Sequence, residues 1–197
     1  MSKSPLLRLW LHNKSWRKTA FVSSVYSFLN KLFDIAPEIL IGLAVDLVVK
    51  REQSFISTLG FVTLESQLIV LGIATFVIWV LESLFEYLYM LGWRNLAQQV
   101  QHSLRVEGFE RSVTHDLEWF ESGNSGYYQS ILNEDVNQLE RFLDGGINDI
   151  IQVVVSTVLV SLVFFYLSPI IAIVALFPIP LISVSYTHLT LPTIYSV

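Results

Sequence analysis

The fold is decided by residues 67–113, which read QLIVLGIATFVIWVLESLFEYLYMLGWRNLAQQVQHSLRVEGFERSV. Up to Val80 the side chains are almost all apolar, and beyond it Glu82, Glu86 and other polar residues appear among leucines and aromatic residues. No proline interrupts the stretch, and apolar residues keep helical spacings of three and four as far as Val113. The pattern predicts one helix that crosses a membrane and continues far into the cytoplasm.

The composition supports a membrane protein. The chain has 197 residues, of which 53% are hydrophobic and 15% charged, and its mean hydropathy is +0.55. A soluble domain of this length is usually less apolar and more charged. The apolar residues also occur in long continuous blocks, such as 68–79 and 150–167. About 20 such residues in a helix span a bilayer. We therefore expect an all-α membrane protein.

Other classes are excluded by charge and residue usage. The net charge is -5 and the basic residues form no surface stripe, so nucleic-acid binding is not expected. The absence of Cys excludes disulfides and thiolate metal sites, and the four His have no metal-ligand spacing. Neither a P-loop, a nucleophile elbow nor an H-E-x-x-H motif is present. We expect no catalytic, cofactor or metal site in this chain.

The expected organisation is four spans with one long hairpin. The spans are predicted at about 19–49, 67–93, 147–167 and 170–183, and the cytoplasmic helical hairpin at about 94–146. Pro37 should kink the first span. Ser168 and Pro169 are typical of a helix start, and Gly145-Gly146 lies inside the return helix.

Residues 1–18 carry five basic residues and no acid, interleaved with leucines and Trp10. This predicts an amphipathic segment on the membrane surface, with a disordered leader as the alternative. The positive-inside rule then places the N-terminus in the cytoplasm. The segment lacks the apolar core and cleavage site of a signal peptide.

The first span contains unusual charges. Lys31, Asp34 and Glu38 share one helix face, because they are spaced by three and four residues. Charges at bilayer depth generally face a bundle interior or a water-filled cavity, so these three are candidates for a translocation path. The alternative is that Lys31 and Asp34 only pair with each other. Glu82 and Glu86 repeat the spacing, and there structural pairing or solvation is expected.

The tip of the hairpin contains Gly123-Asn124-Ser125-Gly126, the strongest turn signal in the chain. Just before it lie three large apolar residues, Leu117, Trp119 and Phe120, in a part of the chain that should be exposed to water. Exposed apolar residues of this kind suggest a docking site. They could instead pack back onto the hairpin. Asp116, Glu118 and Glu121 have no partner base, so we interpret them as solvated or partner-facing charges.

The tail, 184–197, breaks the fourth span abruptly. Its residues 184–193, VSYTHLTLPT, resemble the conceptual translation of a transposon-end sequencing adapter. We therefore expect a non-native tail, a fourth span of which only 170–183 is native sequence and which is too short to cross a bilayer, and a native gene that continues beyond this point. A natural polar loop is the alternative.

The segment Gln98–Leu143 resembles the first intracellular loop of ABC exporters. In that family a second helix runs down to a short coupling helix with an aromatic pair, here Trp119-Phe120. A glycine follows, here Gly126, and then an Asp-Val pair and an amphipathic return helix. The resemblance covers roughly 18–182, and the order and spacing of the motifs carry it.

The resemblance implies a type-1 exporter transmembrane domain of six spans, multidrug or lipid type, followed by a nucleotide-binding domain that holds ATP and Mg. Two such units, identical or different, would form the transporter, and this chain would be its N-terminal fragment. The coupling helix would be about 115–122, and the implied contacts to the nucleotide-binding domain are Asp116, Leu117, Glu118, Trp119, Phe120 and Glu121. Relatives often carry a basic residue a few positions after the glycine; Ser130-Ile131-Leu132 has none, so a salt bridge made there in relatives is not expected.

Other function classes stay open at this point. A membrane signalling or scaffold protein could use the same hairpin for docking without transport, and a channel subunit could carry it as a stalk. The leading interpretation is an ATP-driven exporter in a bacterial inner or plasma membrane. An acidic pair on the first span hints at cationic substrates, and the substrate itself is not readable from the sequence.

Overall fold

The computed structural model describes residues 14–50, 53–114 and 125–178, and these are helical apart from short connections. The helices are α1 Lys14–Lys50, α2 Phe55–Thr58, α3 Leu64–Val113, α4 Ser125–Ser130, α5 Val136–Arg141, α6 Ile147–Leu167 and α7 Pro169–Leu176. No strand occurs in these described ranges. The all-α prediction is confirmed.

Helix α1 is 37 residues long and passes through Pro37 without a break. Its buried positions Trp16, Ala20, Ser23, Ser27 and Asn30 recur at spacings of four and three residues. This is the pattern of a helix that packs along one seam, with small side chains at its centre. The seam faces α3.

A compact connection reverses the chain between α1 and α3. The Ser54 hydroxyl donates to Gln67 Oε1 over 2.8 Å, and the Gln67 amide donates to the carbonyl of Val62 over 3.2 Å. Gly60 has a φ of 99°, which L side chains rarely adopt, so a glycine suits the turn. Asp46 near the end of α1 accepts a hydrogen bond from the backbone N–H of Phe55 over 2.9 Å. The two long helices therefore run antiparallel.

Helix α3 is one uninterrupted helix of 50 residues. Thr63 caps its start by accepting a hydrogen bond from the backbone N–H of Ser66, and Glu65 in the first turn complements the helix dipole. At 1.5 Å per residue it is about 75 Å long. A single continuous helix across 67–113 is what the sequence predicted.

The return helix, residues 125–167, is continuous but not uniform. Its α-helical parts α4, α5 and α6 are joined by two π-helical segments, Ile131–Asp135 and Phe142–Gly146. A π segment holds one extra residue per turn and changes the direction in which later side chains point. Neither π segment is predicted by the pattern of the sequence.

The chain divides into two compact units, one ending at Gln152 and the other beginning at Val153. The first unit has an apolar core between α1, α3 and the return helix. The core residues are Trp16, Ala20, Trp93, Leu96, Ala97, Val100 and Leu143. In the second unit Ser168 is the N-cap position of α7 and Pro169 its first residue, as predicted, although the Ser168 side chain makes no capping hydrogen bond.

Two of the described helices are long and apolar enough to cross a membrane, Leu64–Val113 and Gly126–Tyr166. Their most apolar windows are not buried in the protein, so these faces are free to contact lipid. Helix α1 is not among the two, which is consistent with the charged residues Lys31, Asp34, Glu38 and Asp46 in its central and later turns.

Candidate functional site

Three helices meet at a buried cluster of neutral polar side chains. The Ser27 hydroxyl of α1 donates to Asn148 Oδ1 of α6 over 2.7 Å, with the carbonyl of Ser23 at 3.0 Å as an alternative acceptor. The same hydroxyl accepts a hydrogen bond from the indole N–H of Trp93 on α3 over 3.1 Å. One small hydroxyl on α1 thus joins all three helices.

The cluster continues one turn further along α1. The Asn30 amide donates to the backbone carbonyl of Glu82 over 3.1 Å, which ties α1 to α3 a second time. The Gln152 amide lies 3.1 Å from Asn30 Oδ1 and 3.3 Å from the carbonyl of Ser27. Within the described ranges, no buried side-chain nitrogen or oxygen lacks a hydrogen-bond partner. We define Ser27, Asn30, Trp93, Asn148 and Gln152 as the polar junction.

A fully hydrogen-bonded junction suits a lipid environment. Polar groups without partners are costly inside a bilayer, and interhelical hydrogen bonds there hold helices together. Every member of the polar junction is uncharged, so no ion has to be buried to make it. The arrangement can fix the relative positions of α1, α3 and the beginning of α6.

The predicted path residues lie on α1 beside this junction. Lys31 Nζ and Asp34 Oδ2 form an ion pair at 2.5 Å, with side-chain exposures of 21% and 44%. Glu38 is exposed, and in the described part of the chain it takes part in no ion pair. Glu82 of α3 lies within electrostatic range of Lys31 and Asp34, and Glu86 adds a further acidic group.

The structure therefore brings Lys31, Asp34 and Glu82 together and pairs the first two with each other. This pairing is the structural alternative considered for Lys31 and Asp34 from the sequence. The same region carries aromatic rings: Phe33 stacks on Phe85 with ring centroids 5.6 Å apart, at an interplanar angle of 7°.

The polar junction was not predicted from the sequence, where only ionisable residues were singled out within the membrane spans. The sequence signal that could have indicated it is the row of small and amide side chains, Ser23, Ser27 and Asn30, along one face of α1. Its partners could not be read from that row, because Asn148 lies 121 residues from Ser27 in the chain.

The predicted coupling residues, 116–121, lie outside the described residues, as do 1–13 and the tail 184–197. The two helices that lead to and from the coupling segment are described as far as Thr114 and from Ser125. Phe109, Val113 and Tyr127 near these ends are 64%, 69% and 70% exposed. The described ends of the hairpin therefore present apolar surface.

Close to those ends, polar contacts hold α3 against the return helix. Arg105 Nη2 donates to Asn137 Oδ1 over 2.7 Å, and the Gln101 amide donates to the same oxygen over 2.8 Å. The Tyr128 hydroxyl donates to the carbonyl of Gly108 over 3.2 Å. The two helices of the hairpin are thus joined by hydrogen bonds at successive turns.

Long apolar helices, a polar junction between them and a hairpin longer than a bilayer is thick define an integral membrane protein with a helical extension outside the bilayer. A family profile described as the ABC transporter transmembrane region matches residues 20–189. The chain belongs to this family, which makes it part of a transporter's membrane domain and favours transport over the signalling, scaffold and channel classes. The match includes 184–189, the first residues of the expected non-native tail. Neither the curated proteins nor the solved structures gave a significant match.

Proposed function

We propose that the chain is the N-terminal part of an ATP-driven exporter's transmembrane domain. It would move its substrate by alternating access, coupled to ATP hydrolysis in a nucleotide-binding domain that holds ATP and Mg. The observation that carries this proposal is membership of the ABC transporter transmembrane family over residues 20–189. The 197 residues contain no phosphate-binding loop, so ATP must be bound elsewhere.

The length of α3 supports a partner in the cytoplasm. A helix of 50 residues is about 75 Å long, whereas the hydrocarbon core of a bilayer is about 30 Å thick. More than half of α3 therefore lies outside the hydrocarbon. A long hairpin whose two helices are joined by polar contacts is suited to reach the nucleotide-binding domain of its own chain, in cis, and that of the second subunit, in trans.

The segment 115–122 at the end of that hairpin is the proposed coupling helix. Leu117, Trp119 and Phe120 would occupy a groove of the nucleotide-binding domain, and Asp116, Glu118 and Glu121 would contact its rim. Large aromatic residues dominate the binding energy of many interfaces, which is why this pair is the preferred anchor. Phe109, Val113 and Tyr127, at the described ends of the hairpin, are exposed apolar residues as well.

The assembly and its location follow from the same proposal. A second half-transporter, identical or different, would complete the substrate pathway. The complex would lie in a bacterial inner or plasma membrane with the N-terminus of this chain in the cytoplasm. The five basic residues of 1–18 support that orientation.

The coupling role is tested in the full gene product, read from the native locus and reconstituted in liposomes. Trp119→Ala combined with Phe120→Ala should lower ATP-driven transport at least about tenfold, since a pair of interface anchors is lost. ATP hydrolysis should continue, because the catalytic site is elsewhere.

The matched control for that experiment is Phe76→Ala combined with Trp79→Ala, an exposed aromatic pair on the apolar part of α3. It removes the same kind of side chains far from the tip and should leave coupling unchanged. Wild-type transport by the Trp119/Phe120 variant would contradict the docking role. A native locus without a nucleotide-binding domain, together with no ATP-dependent transport, would contradict the exporter.

The substrate path is proposed to include Lys31, Asp34 and Glu38. Because Lys31 and Asp34 pair with each other, Asp34→Asn should disturb the structure as well as the path. Glu38→Gln is the sharper test, since Glu38 is exposed and unpaired among the described residues. It should change the ratio of cationic to neutral substrate exported by about fivefold, measured in vesicles.

Glu65→Gln at the start of α3 is the control for charge removal outside the proposed path. If the Glu38→Gln transporter exports every tested substrate at the wild-type rate, Glu38 does not line the substrate path. A similar change in both variants would show a general effect of net charge.

A further inference from the structure

The first π segment, Ile131–Asp135, is contacted by a single cationic side chain from the opposite helix. Besides its bond to Asn137, Arg105 donates from Nε to the carbonyl of Leu132 over 3.4 Å. Leu132 lies inside the π segment and Asn137 in the α-helical turn that follows it. The planar fork of one guanidinium therefore touches the helix on both sides of the change from π to α geometry.

A π segment leaves backbone groups with weaker or altered partners, and such segments often accompany functional sites. Here the Leu132 carbonyl has a cationic donor from outside its own helix. Asn137 is held twice, by Arg105 and by Gln101. Contacts from α3 therefore reach both the π segment, at the Leu132 carbonyl, and the Asn137 side chain that follows it.

The contact of Arg105 with the return helix involves no acidic side chain. The ion pairs in the described ranges are Lys31–Asp34, Lys50–Asp46 and Arg111–Glu107, and its own acceptors are neutral oxygens. A lysine has a single ammonium group and cannot present two donors in the geometry of the guanidinium fork. The contact depends on the shape of the arginine as well as on its charge.

The two helices are in close contact one turn further along. A Cβ on Gly108 would meet the side chain of Leu132, so the glycine permits the approach. With the Tyr128 bond to the Gly108 carbonyl, contacts at Gln101, Arg105 and Gly108 follow one another at spacings of four and three residues. Arg105 is the central and only charged member of this row.

We propose that Arg105 is a positioning residue that locks the π segment Ile131–Asp135 against α3, so that both helices of the cytoplasmic hairpin move as one body during transport. The proposal rests on the proposed function, because it concerns how movement at the coupling segment reaches the membrane. It adds a named residue and a named contact to that function.

The test compares Arg105→Lys, which keeps the charge and loses the fork, with Arg105→Gln in the reconstituted full-length transporter. Both should lower the amount of substrate moved per ATP hydrolysed by about fivefold or more, while ATP hydrolysis persists. Asn137→Asp keeps an oxygen acceptor for Arg105 and should retain coupling within about twofold. Arg111→Gln is the matched control: it loses an exposed arginine of the same helix, 72% accessible, with only an i,i+4 pair.

A second measurement needs neither ATP nor substrate. The 197 residues contain no Cys, so Val113→Cys and Tyr127→Cys, on the two helices near the tip, can carry a pair of spin labels once any Cys in the rest of the full-length transporter is replaced. The distribution of label distances should broaden in Arg105→Lys and stay narrow in Arg111→Gln.

The outcomes separate the two proposals. Wild-type coupling and a narrow distance distribution in Arg105→Lys would overturn the positioning role, as would equal losses in Arg111→Gln. A parallel fall in hydrolysis and transport with a lower melting temperature would reduce Arg105 to a folding role. Absence of ATP-dependent transport in the wild type would remove the exporter, and the label distances would still show whether Arg105 holds the hairpin.

Discussion

Gly92 of α3 lies close against Ser23 of α1. A Cβ at this position would clash with the Ser23 hydroxyl and would lie 3.2 Å from the Ser23 Cβ, which cannot rotate away. Ser23 itself is 1% exposed. A single methyl group therefore has to push the two helices apart, next to the polar junction.

We predict that Gly92→Ala destabilises the protein by about 1–3 kcal/mol, because overpacking a tight contact strains both helices. Gly72→Ala, on the same helix with nothing within 4 Å of its Cβ position, should be neutral or slightly stabilising, by up to about 1 kcal/mol. Reversible unfolding in detergent measures both changes.

Ser23→Ala provides a further check, because it removes the clashing hydroxyl and keeps the Cβ. Combined with Gly92→Ala it should recover part of the lost stability. Equal stabilities of the Gly92 and Gly72 variants would show that α1 does not lie against α3 at this point.

At the scale of the helices, the polar junction binds α6 to the α1–α3 pair through Asn148. Replacing Asn148 by Leu keeps the size of the side chain and removes its contacts with Ser27. We predict a loss of about 0.5–2 kcal/mol, the range of interhelical hydrogen bonds in membranes, in the same unfolding experiment.

Val154→Leu, an exposed position on the same helix, is the control for Asn148→Leu and should have almost no effect. A double-mutant cycle with Ser27→Ala isolates the pair: the combined variant should lose less than the sum of the single losses. Full additivity would mean that the two side chains do not interact.

Long helices were the part of the fold that could be predicted from the sequence. Helix α6 has the bounds expected for the third span, and α3 covers the stretch predicted as one helix, because apolar periodicity over many turns is a strong local signal. The π segments were not predictable from local sequence. The segment Ile131–Asp135 is contacted from across the hairpin, for example by Arg105 at the Leu132 carbonyl, and such tertiary contacts cannot be read from one sequence. Its own residues show no helix breaker.

The site was predictable only where it involves charge. Lys31 and Asp34 stand out because charges in a span are costly, and their mutual pairing could be proposed from spacing alone. Asn148 and Gln152 do not stand out, because neutral polar residues are tolerated in membrane helices for several reasons. Their importance comes from tertiary contacts with α1, which one sequence does not reveal.

At the scale of the molecule, the proposed exporter requires the hairpin between α3 and the return helix to lie on the cytoplasmic side and the connection at α2 to lie outside. Because the chain contains no Cys, single cysteines report this directly. Asn124→Cys should react with a membrane-impermeant thiol reagent only in inside-out vesicles. Leu59→Cys, at an exposed position, should react in whole cells. The opposite labelling pattern would place the hairpin where no ATP-binding domain could reach it.

The neutrality of the polar junction has an electrical consequence. Moving one elementary charge across the membrane potential involves about 2.3 kcal/mol per 100 mV, but Ser27, Asn30, Asn148 and Gln152 carry none. A movement of these side chains relative to one another would therefore carry no net charge of their own through the membrane potential. We expect a change in the voltage across the membrane to leave the polar junction undisturbed, so any voltage sensitivity of the transporter would come from the charged side chains beside it, such as Lys31, Asp34 and Glu82, or from the cargo.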